Sequence, residues 1–171
     1  TGIIPHGECF SPAEAFCALV SSLAEENTNL PEAVQLPPEP LLGPMREPPR
    51  RPENLRTEMA FRKVQALADR CCDFIADVGC LPYEMICDGA RMGLGTLFLL
   101  FAQSYLDLHH GTGKRAVWVP HLAPRYPEVA YTLEATARQA YLHWPIHDLT
   151  LPLDNLSRIY RLQSWTLQKV E

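Results

Sequence analysis

At 171 residues the chain has the length of one ordinary domain, enough to bury a sizeable core without invoking a second. Its 20 acidic residues outnumber 15 Lys and Arg for a formal net charge of −5, which argues against nucleic acid as a partner, because neutralising phosphates needs a clustered basic surface. The chain begins at Thr1 with no basic segment followed by an apolar run, so no uncleaved signal peptide is visible, and a processed-looking start suggests an intracellular protein of mitochondrial residence.

The cysteines are Cys9, Cys17, Cys71, Cys72, Cys80 and Cys87. A chain of this length does not need staples, and most of these thiols fall at apolar positions of helical patterns, so they are read as reduced, structural side chains. The matched spacings of a paired-cysteine helical hairpin are absent.

Near the N-terminus, Ser11-Pro12-Ala13-Glu14 is a helix start: Ser can cap free amides, Pro fits the first helical position, and Glu completes a capping box. Phe16, Leu19, Val20 and Leu23 then share one face, predicting a helix over residues 12–26.

Composition changes abruptly at residues 30–52, where Pro31, Pro37, Pro38, Pro40, Pro44, Pro48, Pro49 and Pro52 remove backbone donors and restrain their predecessors. An extended arm is expected. Leu36, Leu41, Leu42 and Met45 are apolar anchors that a solvent-exposed linker would not need, so they are candidate contacts to another polypeptide or to the chain's own domain.

Residues 55–78 carry Leu55, Met59, Val64, Leu67, Cys71, Phe74, Ile75 and Val78 at helical spacing, with Asn54 as a cap and Gly79 as a left-handed stop. Asp69, Asp73 and Asp77 form an acidic ridge, read as a solvated face. Pro82 sits where a second helix would begin, running over residues 83–108, and so short a turn would make the two antiparallel neighbours at the centre of the fold. The apolar run near residues 92–101 is bounded by Asp88, Arg91, Gln103 and Asp107 and falls short of the roughly 18–20 residues that span a bilayer. Gly89 and Gly93, at four-residue spacing, would let a neighbouring helix approach closely and join the candidate partner contacts.

His109 and His110 suit the last turn of that helix, with Gly111 capping it. Leu108 and Arg115 stand where a phosphate-binding loop needs glycine and a hydroxyl, so that match fails. Residues 116–119 read as a short strand or connector without an identifiable partner. Further helices are expected over about residues 127–144, with Val129, Leu133, Ala137, Ala140, Tyr141 and Trp144 inward, and after Asp154, with Leu156, Ile159, Tyr160, Gln163 and Leu167 inward.

The expected fold is therefore mainly α: a bundle of about five helices around a central antiparallel pair, divided into an N-terminal helix segment (residues 1–29), a proline-rich extended arm (30–52) and a helical core domain (53–171). No catalytic signature or cofactor motif is present, and Pro145 separates His143 from His147 so that they do not share a helix face. Catalytic, cofactor-binding and metal-binding residues are accordingly not assigned. The expected function is a non-enzymatic accessory or structural subunit that docks on other protein subunits through its core and arm, without nucleic acid or a transmembrane span. The competing reading is a small all-helical enzyme or a ligand- or metal-binding domain, with a pocket near His109, His121 and His143.

Overall fold

The computed structural model describes residues 10–24, 33–34, 36, 41–46, 48–49, 57–112, 115–121, 159, 162–163 and 165–166. From the N-terminus onward these form α1 (Pro12–Ala24), β1 (Glu58–Ala60), α2 (Phe61–Val78), β2 (Glu84–Cys87), β3 (Ala90–Gly93), α3 (Leu94–His109) and β4 (Ala116–Trp118).

Helix α1 starts as its sequence dictates. The Ser11 amide donates to Glu14 Oε2 at 2.6 Å and the Glu14 amide donates to Ser11 Oγ at 3.2 Å, a reciprocal capping box that satisfies two amides left over at the helix start. Its buried face carries Phe16, Cys17, Val20 and Leu23, and packs most extensively on α2. Phe16 also reaches α3, with ring centroids 5.9 Å from Phe98 and 5.8 Å from Phe101. Such tilted and edge-on pairs add about 0.5–1.5 kcal/mol beyond the area they bury.

The core lies where the three helices meet: Val64, Leu67, Ala68 and Cys71 from α2 face Leu94, Leu97, Leu100 and Phe101 from α3, all buried. Trp165, from the C-terminal stretch, is also buried there, and its carbonyl accepts the Ala13 amide at 3.1 Å, tying that stretch to the first turn of α1. The buried hydroxyls of Ser22 and Ser104 donate back to the carbonyls of Ala18 and Leu100, each at 2.7 Å, so neither is left unpaired in the core.

Two small antiparallel sheets complete the described fold. Strands β2 and β3 form a hairpin with Glu84 opposite Gly93 and Cys87 opposite Ala90. Strands β1 and β4 pair Glu58 with Trp118 and Ala60 with Ala116. Hydrogen bonds from the Val119 amide to the Thr57 carbonyl, 3.0 Å, and from the Phe61 amide to the Arg115 carbonyl, 2.9 Å, extend that ladder.

The expected five-helix, all-α bundle is thus corrected to a mixed arrangement: three helices and two small sheets among the described residues. The reason is local. Residues 83–108 are not one helix, because Asp88 and Gly89 both take positive φ, 51° and 77°, and turn the chain back on itself. That conformation suits the two central residues of a tight hairpin and stops a right-handed helix. The hairpin separates α2 from α3, so the expected tight turn between two antiparallel helices does not exist, and the principal helix pair is α1 with α2. Gly79 does end α2 in the left-handed conformation, with φ 71° and its amide bonded to the Ile75 carbonyl at 2.9 Å. The strand at residues 116–118 has a partner after all, in β1, which precedes α2 where a continuous helix was expected. The helix expected over residues 127–144 lies outside the described residues, as does most of the last one.

Candidate functional site

The six candidate contact residues fall on the proline-rich stretch and on the hairpin beside it. The hairpin is fixed first. Lys63 on α2 pairs with Asp88 at the turn, and Arg70, also on α2, donates to the Ile86 carbonyl at 2.7 Å. Arg91 Nε stands 3.5 Å from Glu84 Oε2 across the two strands. These pairs are largely exposed to solvent and each adds little to stability, but the Lys63 and Arg70 contacts orient the hairpin along α2, while Arg91 and Glu84 join its two strands.

The arm then lies on this surface. Leu41 is 6% exposed and belongs to the core, whereas Leu42 is 40% exposed. Leu42 forms a parallel bridge with Cys80, and its carbonyl accepts the Leu81 amide at 2.9 Å. Because adjacent side chains of an extended segment point to opposite sides, that backbone pairing fixes Leu41 inward and Leu42 outward. Gly43 donates to the Leu162 carbonyl at 2.9 Å, and the guanidinium of Arg46 lies over the Tyr83 ring, 5.5 Å from its centroid. Farther along, the Pro49 carbonyl sits so close to Gly93 that a Cβ there would collide with it.

Leu36 is half-buried against the core, Leu41 is buried, and Leu42 and Met45 are exposed. Each of these arm contacts is made to the chain's own domain. Gly89 and Gly93 are not on a helix: Gly89 is in the hairpin turn and Gly93 ends β3, so the close approach that Gly93 permits is made by the arm, not by a second helix.

Three of the exposed apolar residues lie on backbone near Cys80. Leu42 is paired to Cys80, the Met45 backbone hydrogen-bonds the Cys80 thiol, and Val78 closes α2 just before the Gly79 cap and Cys80. Met45 and Val78 are 43% and 41% exposed, much like Leu42 at 40%, so three apolar side chains reach solvent from backbone next to Cys80 in the chain or paired with it. Single exposed apolar residues are ordinary on protein surfaces; what sets Leu42 apart is the backbone pairing that holds it outward.

The chemistry-bearing side chains are arranged less suggestively. Cys17, Cys71, Cys72, Cys80 and Cys87 are all free thiols. Burial raises each of them above its ordinary acidity constant, so none is a ready thiolate nucleophile at neutral pH. Cys71 is pushed up to about 12, chiefly by burial and next by the neighbouring Cys72. His109 stacks on Tyr105, with centroids 6.3 Å apart, and touches His110 edge-on at 5.4 Å. His121 packs edge-on against Trp118 at 6.5 Å, while His143, His147 and Asp148 lie outside the described residues. Among the described residues no three His, Cys, Asp or Glu side chains gather to hold a metal ion, and no helix is long and apolar enough to cross a membrane. The acidic ridge of Asp69, Asp73 and Asp77 is exposed along α2.

Comparison with protein-family models, with curated proteins and with solved structures finds no match to this chain.

The sequence offered one signal for the hairpin that helical periodicity overrode. Asp88-Gly89, flanked by Met85-Ile86-Cys87 and Ala90-Arg91-Met92, is a standard two-residue turn between short apolar runs. Val78 had no comparable signal as a surface residue, since it fits the inward stripe of α2.

Proposed function

We propose that this chain is a non-enzymatic accessory subunit of a larger assembly, and that it meets its protein partner through Leu42, Met45 and Val78. The reading rests on one observation: the bridge between Leu42 and Cys80 holds an apolar side chain outward on a backbone that cannot swing it back into the core. Exposed apolar area on a preordered surface is the kind that a partner can cover at little entropic cost. Arg46, exposed beside Met45, adds a positive group at the rim of this surface. The partner contact accordingly buries an apolar centre with a charged edge, the usual anatomy of a protein interface.

The free thiols agree with residence in a reducing intracellular compartment, and fractionation distinguishes a mitochondrial from another such location. Isolation from the native source tests the functional reading. A stoichiometric complex that is lost with Met45→Asp, while the variant keeps its fold, supports it; a monodisperse monomer unaffected by Met45→Asp contradicts it.

A further inference from the structure

We propose that the outward face of α3 pairs with the same face of a second copy of this chain, antiparallel about a two-fold axis, through Gly95, Leu99, Ala102 and Leu106. At about 100° per residue these four positions fall within about 60° of one another around the helix, and their spacings of four, three and four residues are those of a helix–helix seam. They lie on the side away from Leu97, Leu100, Phe101 and Ser104, which are buried in the core. Leu99 and Leu106 are 39% and 46% exposed, and Gly95 and Ala102 are half-buried.

This face is not built for water. The exposed positions of α2 include Arg62, Asp69, Arg70, Asp73 and Asp77, as a solvated helix face requires. Along α3 the one Asp, Glu, Lys or Arg is Asp107, and it is buried. The outward stripe from Gly95 to Leu106 is therefore uncharged, with Gln103 at its margin, and α3 is not long and apolar enough to cross a membrane.

The order of side-chain sizes selects a second copy as the occupant. From the N-terminal end the four positions run small, Leu, small, Leu; in reverse they run Leu, small, Leu, small at the same spacings. Two antiparallel copies thus set Gly95 against Leu106 of the other copy and Leu99 against its Ala102, and each of the four layers joins one large side chain to one small. A parallel pair in register would stack each Leu on itself and leave a gap at Gly95 and Ala102. The antiparallel layers repeat about an axis between Leu100 and Phe101, so the contact is self-complementary and closes at two chains. Each copy also carries a formal net charge of −5, and two such copies approach at least cost where neither presents a charge. The interface uses none of Leu42, Met45 and Val78, and its test is independent of theirs.

The test is sedimentation equilibrium of the reduced full chain over a wide range of concentration, where a reversible equilibrium between monomer and dimer is expected. Leu99→Lys leaves a monomer whose thermal midpoint matches that of the dilute parent. Ala102→Leu enlarges the apolar face yet weakens the dimer by about tenfold or more, because Leu then meets Leu in two symmetric layers. Combining Leu99→Ala with Ala102→Leu exchanges the sizes and restores the dimer. A monomer at every concentration, which would leave the face to a different protein, overturns the proposal, as does an Ala102→Leu dimer as tight as the parent's or an exchanged pair that fails to restore it. A lower thermal midpoint for Leu99→Lys than for the dilute parent would also overturn it, because the chain itself would then cover this face.

Discussion

Leu42 and Cys80 face each other in a parallel bridge, and the carbonyl of Leu42 takes up the amide of Leu81. This pairing joins a proline-rich segment, which cannot supply a full ladder of donors, to the turn that follows α2. It needs only one acceptor from the arm, which proline neighbours leave intact. Among the described residues, the arm is held by this pairing, by the Gly43 amide on the Leu162 carbonyl, and by the burial of Leu41 with Leu36 packed beside the core.

Leu41→Ala is expected to lower stability by about 2–4 kcal/mol, because it empties a core position. Chemical denaturation measures the loss, and trypsin cleavage after Arg46 should accelerate in parallel. Unchanged cleavage with the full loss of stability would show that the arm is anchored elsewhere.

Gly89 and Gly93 should respond to alanine for different reasons. At Gly89 a Cβ meets nothing within 4 Å, so Gly89→Ala costs only the strain of a positive φ, about 1–2 kcal/mol. At Gly93 a Cβ meets the Pro49 carbonyl, and Gly93→Ala should push the arm from the hairpin. The discriminating measurement is trypsin cleavage after Arg46, which Gly93→Ala accelerates and Gly89→Ala leaves unchanged.

The thiol of Cys71 links stability to alkaline pH. Its ordinary value is 9.0, and burial, with Cys72 beside it, raises it to about 12 in the folded chain. Below pH 9 both folded and unfolded chains keep the proton, and the thiol has no effect. Between pH 9 and 12 the unfolded chain releases the proton while the folded chain retains it, so stability falls by about 1.4 kcal/mol per pH unit from this group. Denaturation of the parent and of Cys71→Ala from pH 8 to 11 should give curves whose slopes differ by that amount. Parallel curves would rule out the assignment.

Thr96 Oγ1 is buried on α3 without a hydrogen-bond partner among the described residues. Thr96→Val keeps the shape and removes the unpaired hydroxyl, so it should stabilise the protein by about 1 kcal/mol. A loss of stability measured by thermal or chemical unfolding would mean that the hydroxyl is paired.

The sequence made some of this fold readable and hid the rest for physical reasons. Helix α1 was legible because its start is written in local chemistry, Ser11 and Glu14 capping each other across Pro12. The end of α2 was legible at Gly79 for the same reason. The hairpin was not, because Met85, Met92 and the residues between them satisfy helical spacing as readily as strand alternation, and only the turn chemistry of Asp88-Gly89 separates the two. Strand β1 is three residues long, and Met59 fits the stripe of α2, while its partner β4 follows only after two helices and a hairpin. Trp165 is buried in the core although the helical pattern of its surroundings pointed other side chains inward. Of the candidate contact residues, the apolar character of Leu41 and Leu42 was legible, but their opposite fates depend on a backbone pairing with Cys80 that no local pattern encodes.

The docking surface meets its sharpest test when a photo-activated cross-linker is placed at Met45 in the full chain, in its native source, with the same group at exposed Asp73 as the control. One stoichiometric protein partner joined through Met45, and none through Asp73, is the expected result. A particle that runs as a monomer with no adduct at Met45, or equal labelling from both positions, would refute docking through Leu42, Met45 and Val78.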